Sequence, residues 1–191
     1  MKVVAFNSSP RPKGNTAILL SRVLDELGKE GIETEVVSLA GKRITGCIAC
    51  YKCLERADGH CVITDDIVND CLDRMVGADG ILLGSPTYFG DVNASMKALI
   101  ERTGMVARVN GGLLKRKVGA GVVAVRRAGA MHAFTSLNLF FLIAQMFVVG
   151  SSYWNIGFGR EPGAVEKDEE GISTMQTLGQ QMAWLLSKIH G

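Results

Sequence analysis

Four cysteines crowd into one short stretch, Cys47-Ile-Ala-Cys50-Tyr-Lys-Cys53 and then Cys61, a C-x₂-C-x₂-C-x₇-C spacing. Thiolates are soft ligands, and gaps of two residues let successive ones turn toward a common centre. The intervening Leu54 to His60, with Gly59 inside it, lets a fourth thiolate return. Four thiolates can complete a [4Fe–4S] cluster. They can also hold zinc tetrahedrally, or serve as reactive or packing thiols without metal. The residues alone leave all three open.

A second stretch points to anion binding. The apolar run Val3 to Phe6 stops at Asn7 and is followed by Ser8-Ser9-Pro10-Arg11-Pro12-Lys13-Gly14-Asn15-Thr16, after which a helical pattern begins. A phosphate needs converging donors, and a helix amino terminus supplies unpaired N–H groups and a favourable dipole. Ser8, Ser9 and Thr16 add hydroxyls, Asn15 an amide, and Arg11 a charged fork suited to phosphate oxygens. Gly14 lets the backbone turn closely. The loop lacks G-x-x-x-x-G-K-[ST] and G-x-G-x-x-G, which excludes a nucleoside-triphosphate P-loop and leaves a dinucleotide fingerprint unsupported. The plain alternative is a polar strand-to-helix loop with a proline turn.

The third stretch, Gly84-Ser85-Pro86-Thr87-Tyr88-Phe89-Gly90, suits a flat ring with one polar edge. Tyr88 and Phe89 offer aromatic surface. Pro86, Thr87 and Gly90 belong to a loop able to expose backbone N–H groups. The alternative is that the aromatics pack on the protein. Further along, Arg126-Arg127 follows an apolar run. A cation such as Arg126 beside the polar edge of a flavin favours its reduced, anionic form; a solvated arginine pair is the simpler reading. His132 is a possible proton donor. Tyr153, Trp154 and Asn155 either cover a flavin from a neighbouring subunit or merely pack. His60 reads as a solvent-exposed loop histidine, and Cys71, on the apolar side of a helical pattern, as core packing.

The elements that must carry these residues follow from periodicity. Val3–Phe6, the run from Gly80 to Gly84, and Val118–Val125 are continuously apolar, as expected of parallel strands covered on both faces. Ile32 to Val36 alternates, which suits an edge strand, and Phe147 to Gly150 reads as a fifth strand. Helices are expected over Asn15–Lys29 capped by Asn15 or Thr16, over 65–75 capped by Asp65, over 93–102, over 131–146 and at the carboxyl end. The acidic run Glu166 to Glu170 reads as a solvated helix start. The 131–146 segment is apolar nearly all round, predicting burial against the sheet or another subunit. The fold class is therefore α/β, a flavodoxin-like open five-stranded parallel sheet of order 2-1-3-4-5 with helices on both faces. In such sheets ligands lie beyond the carboxyl ends of the strands, where Asn7–Thr16, Ser85–Asp91, Arg126–His132 and Ser151–Arg160 all fall. At the switch point between strands 1 and 3, a phosphate loop beside an aromatic loop narrows the ligand to FMN.

Composition agrees. The chain has 191 residues, with 47% hydrophobic residues and a net charge of +2. It reads as one domain over 1–191 with a cysteine-rich insertion at about 40–64. The near balance of charge points to no nucleic-acid partner. The longest apolar run, near Leu137 to Val149, is broken by Asn138 and Gln145 and is too short to span a membrane. The amino terminus shows no signal-peptide pattern, and five cysteines in such a chain favour metal or redox work over disulfides. A cytoplasmic location is expected.

These motifs carry a family resemblance. S-x-P-R-x-x-G-N-T after the first strand resembles the phosphate loop of the FMN reductase and flavodoxin-like superfamily, with Ser8 standing where G-S-P-R would place glycine. By that resemblance Ser9, Arg11, Asn15 and Thr16 contact the FMN phosphate. G-S-P-T-Y-F-G, followed by Asn93-Ala94-Ser95-Met96-Lys97, is similar to the family's flavin loop. The cysteine opening resembles ferredoxin ligand spacing, without the proline that often follows the last ligand. In this setting it resembles the compact motif of iron–sulfur flavoproteins, as do W-N-I-G-F-G-R-E-P-G and K-D-E-E-G near the end, so the likeness spans essentially the whole chain. It implies FMN and one [4Fe–4S] cluster per subunit, with Cys47, Cys50, Cys53 and Cys61 as ligands. It also implies a redox partner such as ferredoxin or NAD(P)H, and a homodimer or homotetramer. The rival is an NAD(P)H-dependent FMN or quinone reductase without a cluster.

Overall fold

The computed structural model describes residues 1–190; Gly191, the last residue of the expected domain, lies outside the description. Five parallel positions form an open sheet, built from β1 (Lys2–Asn7), β2 (Glu33–Ser38), β3 (Gly80–Tyr88), β5 (Val118–Val125) and β6 (Phe147–Val148), in the order β2-β1-β3-β5-β6. This is the expected 2-1-3-4-5 arrangement. Two short strands complete it: β4 (Asp91–Val92) runs antiparallel to the end of β3, and β7 (Ile156–Phe158) pairs parallel with β5.

Side-chain alternation along the central strands builds two cores. Val4, Phe6, Ile81, Leu83 and Val123 point to one face, covered by α3 (Val68–Gly77), α4 (Ala94–Val109) and α5 (Ala130–Ile143). Val3, Ala5, Leu82, Ala120 and Val122 point to the other, covered by α1 (Asn15–Lys29) and α6 (Glu169–His190). Each valine, leucine, isoleucine or phenylalanine among them, taken fully from water, contributes about 1.5–3 kcal/mol before chain entropy is counted. Gly119 and Gly121 of β5 let α5 lie close. A Cβ on the first would stand 2.5 Å from the Phe141 ring, and one on the second 2.9 Å from Leu137.

Several boundaries differ from expectation. Strand β3 runs on through Ser85 and Pro86, because β5 continues beside it with Pro86 opposite Ala124, and through Thr87 and Tyr88 by pairing with β4. What reads as a loop is thus the last turn of a strand plus a tight hairpin into β4. A short α2 (Lys52–Arg56) lies inside the cysteine-rich stretch. Helix α3 starts at Val68 without a side-chain cap from Ile67, and it is Asp66, not Asp65, that accepts the Val68 N–H at 3.0 Å. Helix α4 runs seven residues past the expected Arg102, to Val109. Helix α5 buries Ala133, Leu137, Phe140 and Phe141 but leaves Leu139, Leu142 and Ile143 open.

The last sheet position is divided. Strand β6 pairs with Val118 and Gly119, β7 pairs with Val123 to Val125, and the chain between them leaves the sheet. The amide of Val149 donates to Gly119 O at 3.0 Å, and the amide of Val123 to Asn155 O at 2.9 Å, so the excursion is tied at both ends. It holds Tyr153 and Trp154 outward while Asn155 is buried.

Candidate functional site

The phosphate-type loop leaves β1 at Asn7, whose side chain shapes it by accepting the Ser9 N–H at 3.0 Å. Ser9 Oγ in turn accepts the Arg11 N–H at 3.2 Å, and the Gly14 N–H closes on Arg11 O at 2.9 Å. Ser9 and Thr16 are buried at the mouth, while Arg11 is exposed. Helix α1 then begins behind Gly14 with no side-chain cap and no acidic residue in its first turn. Its first N–H groups and its dipole thus remain available to an anion. The expected caps, Asn15 and Thr16, are instead the first two helical residues. Asn15 is committed elsewhere: its amide donates to Gly159 O and Glu161 O, both at 3.0 Å, and so fastens the loop after β7 beside the helix start.

The aromatic loop sits alongside. Ser8 donates from N–H and Oγ to Gly84 O, at 2.9 and 3.0 Å. Asn93 locks the pair together. Its amide donates to Ser8 O at 2.6 Å, its Oδ1 accepts the Met96 N–H at 3.2 Å to cap α4, and its own N–H donates to Ser85 Oγ at 3.1 Å. Tyr88 and Phe89 are exposed at the tip, and Phe89 is held at φ +48°, a region costly for an aromatic residue and often kept at ligand sites. Behind them Thr87 Oγ1 is buried without a partner. The third loop touches here. Gly129 sits at φ +86°, and a Cβ on it would come 2.9 Å from Gly90 Cα and 3.5 Å from the Thr87 methyl. The carboxyl end of the sheet therefore gathers an uncapped helix start, presented aromatic faces and an orphaned hydroxyl. That donor set fits FMN, phosphate at one end and ring at the other.

The arginine pair is exposed. Arg127, rather than Arg126, lines a cavity of about 540 Å³, together with His132, Tyr153, Trp154, Phe158 and the first turn of α6. This cavity adjoins the flavin-type loops through Gly129 but contains neither the phosphate loop nor Ser85 to Gly90. Trp154 packs on Phe134, with ring centroids 6.2 Å apart.

The four cysteines of the motif line one narrow apolar recess of about 20 Å³, walled also by Ile63, Arg102, Met105 and Val106. No three His, Cys, Asp or Glu side chains among the described residues are grouped closely enough to hold a metal ion. What the recess does present is the right donor chemistry: soft thiols, an apolar wall and backbone held in place around them. Ala49, Tyr51 and Ala57 all sit at positive φ, so the chain winds tightly between the thiols. Helices α3 and α4 fasten it. Asn110 accepts the Gly59 N–H at 3.0 Å and donates to Cys53 O at 3.2 Å. Asn69 accepts the Cys61 N–H at 2.8 Å and donates to Cys61 O at 3.0 Å. Glu101 accepts the Cys47 N–H at 3.2 Å. Burial pushes the Cys53 thiol up from its ordinary pKa, with the neighbouring Cys61 and Cys47 adding to it. Cys71 stands apart as core packing, its thiol raised to about 12 by burial. His60 is partly exposed rather than fully open to solvent, and contacts Asp73 at 2.9 Å.

Asn93, Asn69, Asn110 and Arg102 position these loops, yet none stands out by composition. Asn93 alone has a local signal, an asparagine directly before a helical pattern.

The profile of the NADPH-dependent FMN reductase family matches residues 1–161. An iron–sulfur flavoprotein of Methanocaldococcus jannaschii is 41% identical over 196 residues, covering 99% of each chain. One from Archaeoglobus fulgidus is 36% identical over 194 residues, covering 95% of this chain and 94% of its own. Among solved structures, the WrbA-like flavodoxin of Agrobacterium tumefaciens superposes with a TM-score of 0.68 at 15% identity, over 98% of this chain and 97% of its own, a likeness of fold. No helix among the described residues is long and apolar enough to cross a membrane. The match over most of the chain and the full-length relatives together show that this protein belongs to the NADPH-dependent FMN reductase family and stands with its iron–sulfur flavoproteins.

Proposed function

We propose that this chain is a redox protein that holds FMN across the three loops at the carboxyl end of the sheet and a [4Fe–4S] cluster on Cys47, Cys50, Cys53 and Cys61. When bound, FMN supplies one- and two-electron transfer and the cluster supplies single-electron transfer. Ser9, Arg11, Thr16 and the first N–H groups of α1 would hold the phosphate. Asn15 contributes through its backbone, since its amide is spent on Gly159 and Glu161. Pro86 to Gly90 would carry the ring, with Thr87 Oγ1 finding there the partner it lacks. Arg126 lies close enough in sequence to the Gly129 contact to place positive charge near that loop, and Arg127 and His132 face the adjoining cavity, where a partner's reacting group would enter. The electron source would be a one-electron carrier such as ferredoxin, or NAD(P)H. The open apolar side of α5 supports a homodimer or homotetramer, and a thiolate-bound cluster suits the reducing cytoplasm.

The observation that carries this reading is that all four thiols of the motif line one recess. Anaerobic reconstitution followed by iron and sulfide analysis tests it. About four irons per chain are expected, and fewer than one would refute it. Cys50→Ala should keep FMN and lose the visible iron–sulfur absorbance. The second reading, a cluster-free NAD(P)H-dependent FMN or quinone reductase, draws on the roughly 540 Å³ cavity beside the flavin loops; rapid bleaching of bound FMN by NADPH alone would favour it.

A further inference from the structure

The buried charge in the wall of the cysteine recess has no part in the flavin site. Arg102 projects from α4 with its side chain wholly buried, and it forms an ion pair with Asp66, itself almost completely buried. Every nitrogen of the guanidinium is engaged. Nε donates to Cys61 Sγ at 3.4 Å, Nη2 donates to Ile63 O at 2.8 Å, and Nη1 bonds Asp66 and reaches Thr45 O at 3.5 Å. These partners lie on both sides of the cysteine run, two residues before Cys47 and from Cys61 onward. Taking a charge out of water is costly, and a well-packed apolar pair of similar volume would often stabilise the chain as well or better. A staple alone therefore does not require arginine. What distinguishes this pair is its division of contacts: the cation meets the thiol through Nε and the carboxylate through Nη1. Burial works against the arginine's charge, but the hydrogen bonds it donates to Asp66 and Cys61 outweigh it, holding the guanidinium above its already high ordinary pKa.

We propose that Arg102 is a positioning residue that sets the reduction potential of the cysteine site, its guanidinium facing Cys61 as a fixed counter-charge and Asp66 tempering that charge through Nη1. The inference rests on the four-thiolate reading above. Each electron accepted from a one-electron reductant adds one negative charge to a site already built from thiolates. A cation at hydrogen-bond distance favours that state, since charge and hydrogen bonding at the sulfurs set such potentials. The two partners should therefore act with opposite signs. Losing the guanidinium removes the positive side of the pair. Losing the carboxylate leaves a bare cation.

Arg102→Gln, Arg102→Lys and Asp66→Asn would be reconstituted anaerobically, assayed for iron and FMN, and titrated with dithionite while the reduced cluster is followed by electron paramagnetic resonance. The expected result is a potential below wild type for Arg102→Gln, above it for Asp66→Asn, and nearest to wild type for Arg102→Lys, with FMN content unchanged throughout. A purely structural clamp would loosen in either variant and shift both potentials the same way, so same-sign shifts, or none, overturn the inference. Should Arg102→Gln fail to fold, the sign of the Asp66→Asn shift and the closeness of Arg102→Lys to wild type decide it. Iron content separates the two levels of reading. Wild-type chain that takes up no cluster overturns the proposed function and this inference together, whereas normal loading with same-sign shifts overturns this inference alone.

Discussion

Replacing Asn93 with alanine should loosen the flavin end of the sheet by an amount that can be worked out from its bonds. Two side-chain interactions disappear, the cap on the Met96 N–H and the 2.6 Å bond to Ser8 O. Loss of an N-cap asparagine costs about 1 kcal/mol. Asn93 is buried, so the Ser8 carbonyl loses its partner away from bulk water, a further cost of about 1–2 kcal/mol. The sum, about 2–3 kcal/mol, corresponds to a fall in Tm of roughly 5–10 °C for a chain of this size. Asn93→Ser separates the parts: serine caps nearly as well but is one atom too short to reach Ser8, so it should recover about 1 kcal/mol and no more. Urea unfolding of the apoprotein, with thermal melts alongside, reads both variants. FMN titration by fluorescence quenching should show affinity about fivefold weaker for Asn93→Ser, because the phosphate and ring loops are no longer tied. An Asn93→Ala variant within about 0.5 kcal/mol of wild type, or a serine variant equal to wild type, would refute the claim that this side chain joins the two loops.

Three further perturbations address other parts of the site. Arg11→Ala should weaken FMN by roughly 10–100-fold, the worth of a charged hydrogen bond, and leave riboflavin binding nearly unchanged; equal losses for both would place Arg11 away from the phosphate. Gly129→Ala puts a methyl group 2.9 Å from Gly90 Cα at a positive φ. It should cost about 1–3 kcal/mol and lower flavin affinity, seen by equilibrium dialysis, with unaltered affinity refuting the contact. The Cys71 thiol is held protonated in the fold from its ordinary 9.0 up to about 12. Across that window the unfolded chain loses its proton first, so wild-type stability should fall as pH rises. Cys71→Ala should flatten that slope in urea midpoints measured between pH 8 and 11, and an unchanged slope would assign the alkaline loss to other groups.

The fold class and strand order were legible because the central strands are apolar on both faces while β2 alternates, a pattern that permits few arrangements. The two flavin-type loops were legible because hydroxyls, glycines and aromatics break that pattern at carboxyl ends of strands. Where Pro86 lies was not legible. A proline suggests a loop, but Pro86 stands opposite Ala124 as the last step of the ladder between β3 and β5. The role of Asn15 was half legible: an amide beside a phosphate loop suggests a ligand contact, and only the return of Gly159 and Glu161 from 144 and 146 residues away shows where it is spent. Arg102 was hidden for the same reason. Its partners come from Thr45, Cys61, Ile63 and Asp66, and no local pattern announces a charge that will be buried by segments so far upstream.

The division of the last sheet position bears on how such a chain can diversify. Residues 149 to 155 are anchored independently at each end, by Val149 on Gly119 and by Asn155 on Val123. The register of β5 with β3 owes nothing to what lies between. Lengthening that excursion costs only loop-closure entropy, about 0.6 kcal/mol for each doubling, and changing its exposed Tyr153 or Trp154 disturbs little of the buried core. The chain thus carries a rim separable from its sheet, so the mouth of the large cavity can change shape while the loops at the carboxyl ends of the central strands stay where those strands put them.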